Sequence, residues 1–190
     1  MPSPEYDLRY LEAALEVLED YLEAPELYWP IDVAPPDGEP DYPQLTLGNV
    51  LLARQRLQRP LPLDLAERRE ILEEKLRGIR NRWRANWERK ARREAESRAE
   101  MWARYLDDLA EAPSEAAFYP TEVRNRTIVD LLLAEGAAPH PPVELLIRNA
   151  DERLRLRFEP GEFVWDKELI PAFPKERFWY LYGRPRASLD

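Results

Sequence analysis

The chain has 190 residues, about a third of them charged, with a formal net charge of −9 and no cysteine. No disulfide, thiolate nucleophile or zinc–thiolate site can therefore form, and so acidic a chain is a poor indiscriminate binder of nucleic acid. No stretch approaches the ~20 apolar residues of a membrane span, and the start, Met1-Pro2-Ser3-Pro4-Glu5, has neither a basic region nor an apolar run, so a cytoplasmic protein without membrane contact is expected.

Glu5 to Ala24 reads as a first helix. Leu8, Leu11, Leu15, Leu18 and Leu22 recur at steps of three and four, with Tyr10, Ala14, Val17 and Tyr21 beside them. That width suits a helix lodged against more than one neighbour. Ser3 and Pro4 fit the cap and first position, and Pro25 ends the run.

Glu26 to Pro43 is a proline-rich connector. Its first half, with Tyr28, Trp29 and Ile31, is apolar enough to lie on the body; its second half, around Pro36-Asp37-Gly38, has turn chemistry. Thr46 to Gln58 reads as a second helix, capped by Thr46 and weakened at its start by Gly48-Asn49.

Asp64 to Ala112 holds no proline and one glycine, Gly78, and predicts one long, strongly charged helix around which a mainly α, elongated bundle is built. Pro60 and Pro62 precede it, Asp64 and Glu67 resemble a capping box, and Pro113 ends it. Leu65, Leu72, Leu76, Ile79, Trp83, Trp87, Ala91, Ala95, Arg98/Ala99, Trp102, Leu106 and Leu109 form its apolar stripe. At ~1.5 Å per residue it would span roughly 70 Å, against a diameter of roughly 40 Å for a compact chain of this size. Either the helix breaks, with Gly78 and Ser97 the weak points, or the molecule is elongated; an elongated molecule with a kink near Gly78 is the expectation.

Pro120 to Glu135 predicts a further helix, after a short turn at Ser114–Ala117 and before Gly136 as C′. Ala137 to Pro142 reads as a linker carrying the only histidine, His140, expected exposed. It divides a helical body over 1–138 from a smaller C-terminal region over 139–190. After it, Val143, Leu146, Ile147 and Ala150 keep helical spacing, to about Arg153. The alternation of Leu154, Leu156 and Phe158 with arginines also fits a β-hairpin over 153–166. The tail, Pro171 to Gly183, reads as a short aromatic helix with Pro174 at its first turn, Phe178 to Tyr182 as its aromatic run, and Gly183 and Pro185 as stop signals.

Charge is unevenly placed. Lys75 to Arg98 carries ten basic against three acidic side chains, a net of +7, while Met1 to Glu26 carries Arg9 against eight acids, a net of −7. The acidic first helix is thus a natural internal partner for the basic face.

Catalytic chemistry has little to draw on. His140 is flanked by prolines, no nucleophile elbow surrounds Ser97, Ser114 or Ser188, and no glycine-rich phosphate loop exists. Neither a catalytic residue nor a cofactor is expected. Glu67, Glu70, Glu73 and Glu74, and Asp107, Asp108 and Glu111, stand at spacings used by carboxylate–metal helical hydrolases of nucleotides, a third-ranked reading without the Glu-x-x-His element. The second reading is RNA or DNA binding, with Arg80, Arg84, Arg92 and Arg93 meeting phosphates and Trp87 stacking on a base. The first is a non-catalytic interaction or scaffold protein. It would act through protein–protein contact or self-association along an uncovered seam, closest at Ala91 to Ala99, with Arg80, Arg84, Arg92 and Arg93 as the exposed surface that meets a partner and Trp83, Trp87 and Trp102 as structural anchors.

Overall fold

The structure, a computed structural model, describes residues 2–135 and 140–186. Six α-helices are present: α1 Pro4–Glu23, α2 Leu47–Arg56, α3 Leu63–Arg82, α4 Arg84–Glu111, α5 Tyr119–Glu135 and α6 Pro141–Arg157. A short antiparallel pair, β1 Phe158–Phe163 and β2 Tyr182–Pro185, closes the described chain. The fold is mainly α, as the periodicities require.

Local signals explain where α1 and α2 start. The Ser3 hydroxyl accepts from the Tyr6 N–H at 3.1 Å, and the Thr46 hydroxyl accepts from the Asn49 N–H at 3.1 Å. Each satisfies an N–H that has no partner within its helix. At α3 the expected cap is displaced. The helix begins at Leu63 behind Pro62, without a side-chain cap, and Asp64 sits in the first turn, where its charge still favours the positive helix end.

The stretch from 64 to 111 is helical except at one residue. Trp83 adopts φ −106° and ψ 28°, separating α3 from α4. The break is one turn beyond Gly78, which stays helical and exposed. Hydrogen bonding survives it: Trp83 N–H donates to Ile79 and Trp87 N–H to Trp83, both at 2.9 Å. A bend at Trp83 therefore costs few hydrogen bonds and lets the two halves take different neighbours. The half before it packs along α1, while α4 packs on α5, α6 and α2.

That arrangement closes the alanine seam. Ala91, Ala95 and Ala99 are buried, with Trp87, Trp102 and Leu109, in one apolar cluster that runs from α1 to Leu181. The place expected to receive a partner helix is filled from within the chain.

The C-terminal region departs from its two local readings. Helix α6 continues to Arg157, and no hairpin forms over 153–166; β1 instead pairs with the distant β2, Phe158 opposite Pro185. The tail is not one helix: a 3-10 segment, Lys167–Ala172, runs into its start, and a 3-10 turn, Trp179–Leu181, leads into β2. Gly183, at φ +151°, lies so close to the Glu159 carbonyl that a Cβ would clash. The turn at Ser114–Ala117 is a 3-10 segment, Pro113–Phe118. Gly136 and Ala137 to Pro139 lie outside the described residues, but His140 is packed rather than exposed, with Nε2 at 2.5 Å from Glu96 Oε1.

Candidate functional site

The start of α2 lies against the middle of α4, and charge is buried there. The Glu94 carboxylate is inaccessible to solvent. One oxygen accepts from the Thr46 hydroxyl at 2.6 Å, the other from the Gly48 N–H at 2.7 Å. Glu94 thus supplies a negative group to the positive end of α2. Arg98, one turn on, donates from Nε and Nη2 to Glu94 at 3.3 Å and from Nη1 to Asn125 Oδ1 of α5 at 3.0 Å.

A second pair closes the other end of α2. Asp7 of α1 is also fully buried, and Arg56 Nε donates to both its oxygens at 3.0 Å. Burial raises the Asp7 carboxyl above its ordinary range, against the opposing pull of Arg56.

Between these pairs stands a third guanidinium, Arg124 of α5. It has no carboxylate: Nη2 donates to the neutral Asn49 Oδ1 at 2.8 Å, and its buried Nε has no hydrogen-bond partner. Burial first, then repulsion from Arg56 and Arg98, pushes it down to about 10. Arg56 and Arg98 each answer a buried acid; Arg124 answers none.

Arg124 and Arg98 face a cavity of about 550 Å³, with Asn49, Asn125, Gln44 and Tyr105 also on its wall and the half-exposed Tyr28 and Met101 among its lining. Its size falls in the range of small-molecule sites, ~300–1,000 Å³. Amides, guanidiniums and aromatic rings offer donors and flat contact area together. Asp108, Glu115 and Glu122 also line it, so an anion is directed to the arginine side.

Comparison of the chain with family models, curated proteins and solved structures found no match. The reading of the site rests on its geometry.

The five residues singled out from sequence do not converge on it. Trp87 is 1% exposed and offers no face for stacking. Arg80 reaches α5, 3.0 Å from Glu135. Arg84 pairs with Glu88 at 2.9 Å, and Arg93 donates to the Pro25 carbonyl at 2.7 Å. Arg92 is exposed on α4, as is Arg89. Of the basic stretch Lys75 to Arg98, Arg82 meets α1 by binding Glu19; Arg68, which precedes that stretch, binds Glu5 and Glu12.

The carboxylate runs are partly taken up the same way. Glu73 holds Arg54, Glu74 holds Arg77 and Asp107 holds Arg153. Among the described residues no group of three or more acidic or histidine side chains converges as a metal would need.

Sequence reasoning singled out none of Glu94, Arg98, Arg124 and Asn49 as site residues. A signal was present. Arg98 interrupts the apolar stripe, and a charged residue at such a position is commonly buried with its partner.

Proposed function

We propose that the protein is a non-catalytic interaction protein that recognises its partner by an anionic group bound in the Arg98–Arg124 cavity. The observation that supports this is Arg124, a guanidinium without a carboxylate beside two that have one. Arg124 is partly buried, with its Nε inaccessible; withdrawing a cation from water without a counter-charge is costly, and a carboxylate or phosphate entering the cavity offsets that cost with charge-assisted hydrogen bonds.

The test is thermal melting of the whole chain with inorganic phosphate or sulfate against chloride at equal ionic strength. A ligand at 100 times its Kd stabilises by about 2.7 kcal/mol, so the melting temperature rises in the wild type and not in Arg124→Gln. Equal melting in all three salts overturns the reading.

A second reading is nucleic-acid binding by the exposed part of α4. Its support is that Arg89 and Arg92 are exposed, with no carboxylate ion pair among the described residues, close to Arg84 and Arg93. Fluorescence anisotropy of labelled RNA and DNA at low and physiological salt tests it. Steeply salt-dependent binding that disappears in Arg84→Glu/Arg92→Glu supports this reading, and no binding at low salt excludes it.

A further inference from the structure

The cavity just described is not the only one that reaches Arg124. A second cavity, of about 380 Å³, is lined by Leu52, Pro120, Val164 and Trp165, and shares both Arg124 and Thr121 with the first. The two differ in character. The first is walled by amides and charges; the second is largely apolar, and of its two other charged residues Arg56 is held by Asp7 while the Asp166 carboxylate accepts from the Glu168 N–H.

Its aromatic wall is held in place before any ligand arrives. The Trp165 indole N–H donates to the Pro120 carbonyl at 2.8 Å. Its ring meets Phe163 and Phe173 edge-on, at 6.2 and 5.3 Å between centroids. The residue remains only partly buried and lines the cavity. A pre-oriented aromatic surface binds an apolar group with little loss of side-chain freedom.

We propose that the ligand is an amphipathic carboxylate, its anionic end on Arg124 and its apolar stem in the cavity beside Trp165. Arg124 then acts as the hinge point of a two-part site. Its unpartnered Nε–H and its charge fix the carboxylate. Leu52, Val164 and Trp165 take the chain, where each buried methylene is worth about 0.8 kcal/mol, roughly a fourfold gain in affinity. A bare inorganic anion would fill only the first part. The proposal rests on the anion reading above and adds the class of molecule that carries the anion.

The experiment is calorimetric titration of the full chain with acetate, hexanoate and 4-phenylbutyrate, with ¹H–¹⁵N spectra of the tryptophan indoles recorded in parallel. Hexanoate and 4-phenylbutyrate are expected to bind at least tenfold tighter than acetate and to shift the Trp165 indole resonance, which acetate leaves in place. Arg124→Gln abolishes all three interactions. Val164→Ser, at a half-buried wall position, weakens the long acids and spares acetate and phosphate. If acetate and hexanoate bind equally and the Trp165 resonance stays still, the two-part site is wrong while the anion reading stands. If phosphate and acetate also fail, or act equally on Arg124→Gln, both fall together. Tight binding of the long acids that persists in Arg124→Gln overturns the two-part site as well, because the stem would then bind without its anchor.

Discussion

Glu94 and Gly48 are joined by a hydrogen bond of 2.7 Å from the glycine N–H to the buried carboxylate, and the glycine is there because of it. A Cβ on residue 48 would lie 2.5 Å from Glu94 Oε1 and 2.3 Å from Ile128 Cγ2. Helix propensity alone favours Gly→Ala by about 1 kcal/mol. In this place the sign reverses. Gly48→Ala is expected to destabilise by about 1–3 kcal/mol through overpacking, with a lower midpoint in urea; a variant as stable as the wild type refutes the close approach.

Gly78 gives the opposite outcome for the same substitution. It lies inside α3, and a Cβ there meets nothing within 4 Å. The bend is at Trp83, so no conformational freedom is needed at 78. Gly78→Ala is expected to stabilise by about 1 kcal/mol, measured by the same urea titration. Destabilisation would place the bend at the glycine after all.

Lys90 is buried without a carboxylate. Its ammonium lies 4.1 Å from the Tyr21 ring centroid and donates to the Glu26 carbonyl. Burial, then Arg93 and Arg89, lowers its pKa from the ordinary 10.5, with Glu26 opposing. The folded state therefore binds this proton less tightly than the unfolded chain. Its cost is complete at neutral pH and fades as pH rises through the lowered value. Lys90→Met should melt higher at neutral pH, by ~2–4 °C for each 1 kcal/mol gained, and the gap should close in alkaline buffer. A gap that widens with pH contradicts the assignment.

Arg124 separates binding from folding. With Nη2 on a neutral amide and Nε unpartnered, its removal takes away no ion pair. Arg124→Gln should leave neutral-pH stability unchanged or raised while abolishing the response to phosphate. Glu94→Gln, one turn from Arg98, should do the reverse in kind: losing one side of a buried pair costs ~3–5 kcal/mol. A loss of stability in Arg124→Gln equal to that of Glu94→Gln would make Arg124 a structural residue, and comparative melting of the two variants decides it.

The sequence alone determined where α1, α2, α5 and most of α3 and α4 would lie. Capping by Ser3 and Thr46, prolines at the helix ends and apolar steps of three and four act within a turn or two of backbone, where sterics and hydrogen bonding are local. Tertiary structure decided the rest. Glu94 and Arg98 have the spacing of an ordinary surface pair, and only the arrival of Thr46 and Gly48 from another helix buries them. Asp7 and Arg56 are 49 positions apart, and nothing near either names the other. The bend fell at Trp83 because its two halves had different surfaces to cover, and β1 found β2 across an intervening aromatic stretch rather than across a turn. The candidate site has the same origin: Arg124 is distinguished by lacking a carboxylate, and which charges are left unanswered depends on long-range packing.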